Sequence, residues 1–159
     1  LVPERRQELT TEGGLDVVKR AGLLRPIIRA FRQQRIGVSL FVDPVLAQVK
    51  AAHHVGAETI ELHTGRYAHA QTSRAKAREL NALRRAIGTG HALGLGIAAG
   101  HGLDYDNVPD LMKLQGIEEL NIGFSIISRA LWVGLERAVS EMVVLMSRAP
   151  AHAKILQAA

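Results

Sequence analysis

The chain has no cysteine among its 159 residues, which excludes disulfides and thiolate metal sites and fits a reducing cytoplasm. Aromatic residues make up only 4% of it, too few for the base-stacking platforms of single-strand nucleic-acid binders. A concentrated basic stripe is missing as well. The net charge of +5 is 20 Lys and Arg less 15 Asp and Glu, scattered from Arg5, Arg6, Lys19 and Arg20 to Arg84 and Arg85. Such scatter reads as solvated helix faces, with attraction of phosphorylated small molecules as a second use, and not as a nucleic-acid interface. No apolar run approaches the ~20 residues of a membrane span, so no membrane partner is expected. The opening Leu1 to Arg6 (LVPERR) is neither a signal peptide nor a Met start, and reads as the inside of a longer, cytoplasmic chain.

What is present is core-forming: 47% hydrophobic residues against 22% charged. The pattern predicts one domain over 1–150 with a loose tail over 151–159. Leu1-Val2 reads as the end of a strand, followed by a polar loop to Gly14. Leu15 to Gln34 has helical rhythm, with a break expected at Gly22 or Pro26. Strands are expected at Ile36–Val42, Ala57–Thr64, Gly94–Leu103 and Glu118–Phe124. Helices are expected from Pro44 to Val55, from His69 to Ala92 with an interruption at Gly88-Thr89-Gly90, and from Asn107 to Leu114. A last amphipathic helix is expected over Ser128–Arg148, with Ile127, Leu131, Leu135, Val139, Met142 and Leu145 or Met146 on its apolar side. Helices between successive strands demand parallel pairing. The fold class is α/β: about five units of a (β/α)8 barrel, with an open doubly wound sheet as the alternative.

In parallel α/β folds chemistry gathers at the carboxyl ends of strands, and four segments end in polar or glycine-rich turns. Gly100-His101-Gly102 sets an imidazole between two glycines that allow close approach of backbone and ligand. A lone histidine there is as well explained as a satisfied rim residue. Strand alternation puts Glu61 and His63 on one face, either bonded to each other or available for acid/base or metal chemistry. Gly123 ends another strand, either as a turn or as a backbone phosphate cradle. Thr10 and Thr11 before Gly13-Gly14 are compatible with an ordinary capped loop. His53 and His54 read as exposed and uninvolved, and Arg66 and Tyr67, after the Glu61 strand, either as facing the mouth or as surface loop residues.

Six segments taken in order carry more: Leu1–Glu8, Thr10–Val17, Val38–Phe41, Ile60–Gly65 (IELHTG), Ala99–Leu103 (AGHGL) and Glu119–Gly123 (ELNIG). Their order and spacing resemble the pyridoxine 5′-phosphate synthase family of vitamin B6 biosynthesis. The resemblance implies a (β/α)8 barrel that condenses 1-deoxy-D-xylulose 5-phosphate with 3-amino-2-oxopropyl phosphate, releasing phosphate and water, with no metal or organic cofactor. By the same resemblance His101 matches a proton donor and Glu61 a transition-state stabiliser. Thr10 matches a contact to the amino ketone phosphate, while Gly102 and the Gly123-Phe124 backbone match product or phosphate contacts. A homo-oligomer, octameric in the family, is implied too.

The chain departs from that pattern at Phe124, where the family usually has His, and at Ala98, where it commonly has Asn. The resemblance also implies that about the first three β/α units, with a glutamate base, lie upstream of Leu1. A carboxyl-terminal two thirds lacking them is expected to be inactive by itself and to leave strand edges open. Two rivals remain at this point: a metal-dependent barrel hydrolase using Glu61, His63 and His101, and an inactive phosphate-binding or assembly module.

Overall fold

The alternation of buried aliphatic residues along each strand organises the observed architecture. In the computed structural model, which describes residues 1–3 and 13–147, four strands form one parallel sheet in the order β1-β2-β3-β4. They are β1 (Ser39–Val42), β2 (Thr59–His63), β3 (Gly96–Gly100) and β4 (Glu119–Asn121). Strand order equals chain order, so every connection is a crossover to the adjacent strand, as successive β/α units require. The register aligns Leu40 with Ile60 and Ile97, and Val42 with Leu62, Ala99 and Leu120. Leu40, Ile60, Leu62, Val42 and Ala99 are fully buried. The other face carries Phe41, Glu61, Ala98 and Glu119 in one row, and His63, Gly100 and Asn121 in the next.

Helices α1 (Val17–Gln33), α2 (Leu46–His54) and α4 (Ser73–Ala92) supply the apolar partners, among them Val17, Leu24, Ile28, Val49, Leu83 and Ile87. A single turn, α3 (Gly65–Ala68), follows β2. Asp16 caps α1 by accepting from the Lys19 N–H at 3.1 Å, and Thr72 caps α4 through Ala75 at 3.2 Å. The expected strand end at Leu1-Val2 is too short to be assigned, yet the Leu1 carbonyl accepts from the Phe41 N–H at 3.0 Å along β1.

Two expected breaks do not occur. Helix α1 runs through Pro26. The carbonyl that Pro26 leaves without a donor belongs to Gly22, an exposed residue, so solvent can take the missing bond. Helix α4 runs through Gly88-Thr89-Gly90 because Gly90 is buried where the helix touches the sheet, with Ile97 occupying the space of a β-carbon. Conversely, the expected single helix over Ser128–Arg148 is two, α6 (Phe124–Val133) and α7 (Leu135–Ser147), parted at Gly134 with φ +84°. Strands and helices are also shorter than expected, and the Asn107–Leu114 helix reduces to α5 (Val108–Leu111).

The described residues cluster into two units, Leu1–Leu103 with Gly116–Ile122, and Asp104–Gln115 with the chain from Gly123 on. In the second unit Val108, Leu111, Leu114, Ala138 and Met142 are buried, and Tyr105 Oη donates to the Ala138 carbonyl at 2.8 Å. Of the apolar side expected for the last helix, Met142 is buried, but Ile127, Leu131, Leu135 and Val139 are exposed. Periodicity finds an apolar stripe; it does not say whether anything covers it. Thr10 and the 151–159 tail lie outside the described residues. Among the described residues no helix is long and apolar enough to cross a membrane.

Truncating Leu62, fully buried on β2, to Ala should cost about 2–5 kcal/mol in urea unfolding. Leu23→Ala, at a position 59% exposed on α1, should change stability by less than about 0.5 kcal/mol.

Candidate active site

The carboxyl ends of β2 and β3 meet where Thr64 follows one strand and His101 the other. Thr64 is fully buried and its N–H donates to the Gly100 carbonyl at 2.8 Å. Its hydroxyl lies 2.6 Å from the Gly100 carbonyl and 2.7 Å from the His101 carbonyl, and its single proton is shared between them. Holding two successive carbonyls towards one hydroxyl turns the chain sharply. His101 accordingly takes φ +82°, a conformation costly for a residue with a β-carbon. The histidine is therefore held in a strained turn by its neighbour on β2.

His63 approaches the same place from below. Its ring is 6% exposed and stands edge-on to His101, with centroids 4.9 Å apart and planes at 62°. Phe41 packs on His63 at 5.2 Å. Nδ1 of His63 lies 3.0 Å from Asp43 Oδ1, while Nε2 is buried with no hydrogen-bond partner. Gly65 begins α3 directly over both rings: a β-carbon there would lie 2.7 Å from His63 Nε2 and 3.0 Å from His101 Cδ2. Only glycine lets the backbone pass so close.

Glu61 sits mid-strand, one row below, and its carboxylate occupies the space that a β-carbon on Gly100 would need. The close approach expected at Gly100 is thus filled from within the sheet. Burial pushes the Glu61 carboxyl up from its ordinary range, against a hydrogen bond donated by the Asn121 amide; Glu119 adds to the rise. A cleft of about 290 Å³ runs along this face past Ser39, Ala98 and Asn121 to Glu61. Asp43 behaves oppositely: its hydrogen bond with His63 holds it below the usual carboxylate range, helped by the Gly14 N–H at 3.2 Å.

The structure brings together Glu61, His63, His101 and Gly102 of the residues singled out by sequence. Glu61 and His63 share a face as expected but are not a hydrogen-bonded pair, because Asn121 takes Glu61 and Asp43 takes His63. The two-histidine, one-carboxylate metal site is not formed either: among the described residues no group of three such side chains could hold a metal ion. Gly123 and Phe124 belong to the second unit, where Gly123 precedes α6 and its carbonyl accepts from Ile127 at 3.0 Å, and Phe124 is 89% exposed. His53 and His54 are exposed, as expected, and so is Arg66. Tyr67 is buried under a cation–π contact from Lys76, 5.5 Å from its ring centroid, and is no loop residue at the surface.

Sequence reasoning misses Asp43, Thr64 and Asn121 as site residues. Asp43 and Thr64 each end a strand, which is the available signal, but Asp43 reads as a helix start. That helix begins at Leu46, leaving the Asp43 carboxylate to face the sheet. Asn121 becomes meaningful only through the register that sets it beside Gly100.

Thr64→Val should lose about 1–3 kcal/mol in urea unfolding, since a buried and a half-buried carbonyl lose their hydroxyl donor; Thr64→Ser, which keeps it, should lose clearly less. Equal losses would assign the effect to packing. The two carboxyls predict opposite pH signs. Glu61, raised in the folded chain, contributes stability that is present below its unfolded pKa and lost as pH rises through the folded value. Asp43, lowered, contributes stability that is present above its unfolded pKa and lost as pH falls through the folded value. Glu61→Gln should therefore flatten the fall in urea midpoint just above the ordinary carboxylate range. Asp43→Asn should flatten the acid limb. Curves parallel to the unaltered chain would contradict both assignments.

Comparison with known proteins bears on this arrangement as a whole. The pyridoxine 5′-phosphate synthase of Trichlorobacter lovleyi is 55% identical over 148 residues, covering 93% of this chain and 62% of that protein. The enzymes of the same name from Synechocystis sp. and Geobacter sulfurreducens are 53% and 54% identical, each over 94% of this chain and 62% of their own lengths. The chain thus spans about three fifths of the length of the curated relatives it matches. Among solved structures, the Amycolatopsis orientalis BexX/CysO complex aligns with a TM-score of 0.53 at 14% identity, covering 87% of this chain and 54% of that one, a likeness of fold alone. The family described as pyridoxal phosphate biosynthesis protein PdxJ matches residues 1–148, and the chain belongs to that family.

Proposed function

We propose that this chain supplies the acid side of a pyridoxine 5′-phosphate synthase site, acting on 1-deoxy-D-xylulose 5-phosphate and 3-amino-2-oxopropyl phosphate. The observation that carries the reading is the Gly100-His101-Gly102 turn with Glu61 beneath it, in a chain whose curated relatives bear that name. The four parallel strands are read as an arc of a (β/α)8 barrel whose interior is the face bearing Phe41, Glu61, His63 and Asn121. Such a face, small and polar where the opposite one is aliphatic, suits the inner surface of a mouth that handles phosphorylated substrates. The whole protein is read as a cytoplasmic homo-oligomer.

The condensation needs proton transfers as an imine forms and as water and phosphate leave. His101 is the donor to a leaving oxygen, fixed at the mouth by the Thr64 latch. Glu61, reluctant to ionise among buried neighbours, is suited to answer positive charge that develops in the transition state. The backbone N–H groups of Gly102 and of Gly123-Phe124 are the contacts proposed for phosphate oxygens, together with Thr10. Phe124, in place of the family's usual histidine, leaves only its backbone for that task.

Isothermal titration with pyridoxine 5′-phosphate should give saturable heat that weakens about tenfold or more in Glu61→Gln. In a protein that carries the whole barrel, His101→Gln should lower turnover of the two substrates about 10²- to 10⁴-fold with little change in product affinity. No product binding, or turnover untouched by His101→Gln, would overturn the reading.

A further inference from the structure

The acid chemistry at His101 and Glu61 leaves one buried group unused. The His63 imidazole is enclosed by Phe41, Gly65 and His101, and only Nδ1 has a partner. That partner, Asp43 Oδ1 at 3.0 Å, belongs to a carboxylate that stays ionised and can only accept, so the proton between them sits on Nδ1. A neutral imidazole carries one N–H, which leaves Nε2 as a bare lone pair. A buried acceptor without a donor is uncommon in native proteins and asks for an explanation. A β-carbon on Gly65 would lie 2.7 Å from His63 Nε2 and 3.0 Å from His101 Cδ2, so Nε2 and the His101 ring border the same small space.

We propose that Asp43 and His63 form a positioning pair for His101, in which Asp43 keeps the His63 proton on Nδ1 so that the buried Nε2 lone pair stabilises the protonated His101 imidazole. The inference rests on the reading of His101 as a proton donor. A donor must hold its proton until the leaving group needs it, and an imidazolium beside a lone pair backed by a carboxylate does so better than one beside an N–H. The same logic orients imidazoles beside carboxylates in hydrolase triads and around metals, where removing the carboxylate's negative charge selects the wrong tautomer. Among the described residues, the other charged groups acting on the pair are Glu61 on β2, which feels His63, and Arg66 of α3, which acts on Asp43. His69, just after α3, has its ring 3.8 Å from where a β-carbon on Gly102 would stand.

Nitrogen-15 NMR of the full chain labelled at histidine tests this directly. The unaltered chain should show His63 protonated at Nδ1 and bare at Nε2, a reading that needs no variant and therefore survives any substitution that unfolds the protein. In Asp43→Asn the amide can donate to Nδ1, so the proton should move to Nε2 and His101 should give up its proton about one pH unit lower. His63→Gln, which leaves Asp43 with its Gly14 contact, should lower His101 similarly. A purely structural His63 would leave the His101 titration unmoved in both. Protonation of His63 at Nε2 in the unaltered chain, or a His101 titration identical in all three proteins, overturns the proposal. Because these signals are read without substrate, failed product binding with an intact tautomer and titration response would overturn the synthase reading and leave the pair standing.

Discussion

The shared proton of Thr64 is the constraint on which the site depends. A parallel sheet brings the ends of β2 and β3 side by side, and the turn that leaves β3 presents two successive carbonyls to the end of β2. Thr64, one residue past β2, meets both the Gly100 and the His101 carbonyls with one hydroxyl and one N–H. The cost is a histidine in the left-handed region, and such strain persists only where the surroundings over-determine it. The benefit is an imidazole whose backbone cannot follow the loop it begins. Everything placed around that imidazole is placed relative to this latch.

Around it the two sheet faces divide the work. The aliphatic rows of Leu40, Ile60, Ile97 and of Val42, Leu62, Ala99 bury against helices and hold the strands in register. Because side chains alternate, that same register sets Glu61 and His63 on the opposite face, beside Ala98 and Gly100. Small neighbours matter there: Gly100 gives up its β-carbon position to the Glu61 carboxylate, and Gly65 gives up its own to the paired histidines. A slip of one residue would reverse the faces and bury the carboxylate among leucines.

The two carboxyls of the site differ in kind although both sit near imidazoles. Glu61 is half-buried and meets another carboxylate, Glu119, so ionisation is resisted. Asp43 has a ring nitrogen and a backbone N–H directed at it, so ionisation is favoured. An acceptor that keeps its charge orients a neighbour, whereas one that resists charge responds to what develops beside it. This division follows from placement alone, since the two groups are chemically almost the same.

Much of this is legible in the amino-acid sequence. Four parallel strands with helices between them follow from the two hydrophobic periods, and Glu61, His63 and His101 follow from alternation and from the glycines around the histidine, because these are local properties of the backbone. Six short segments in order are enough for the family resemblance. What local reasoning cannot reach depends on contacts across strands. Asp43 reads as a helix start, and only the β1–β2 pairing sets it against His63; Asn121 reads as a strand residue, and only the β3–β4 register sets it beside Glu61. The helix break at Gly134 and the exposure of Leu131 and Trp132 are likewise beyond an apolar pattern, which records what a side chain prefers and not what lies opposite it. The sequence by itself determined the elements, their faces and the chemical groups available. Which groups hold each other, and hence which tautomer and which charge each keeps, was decided only by the tertiary structure, because hydrogen bonds and desolvation act through space between segments far apart in the chain.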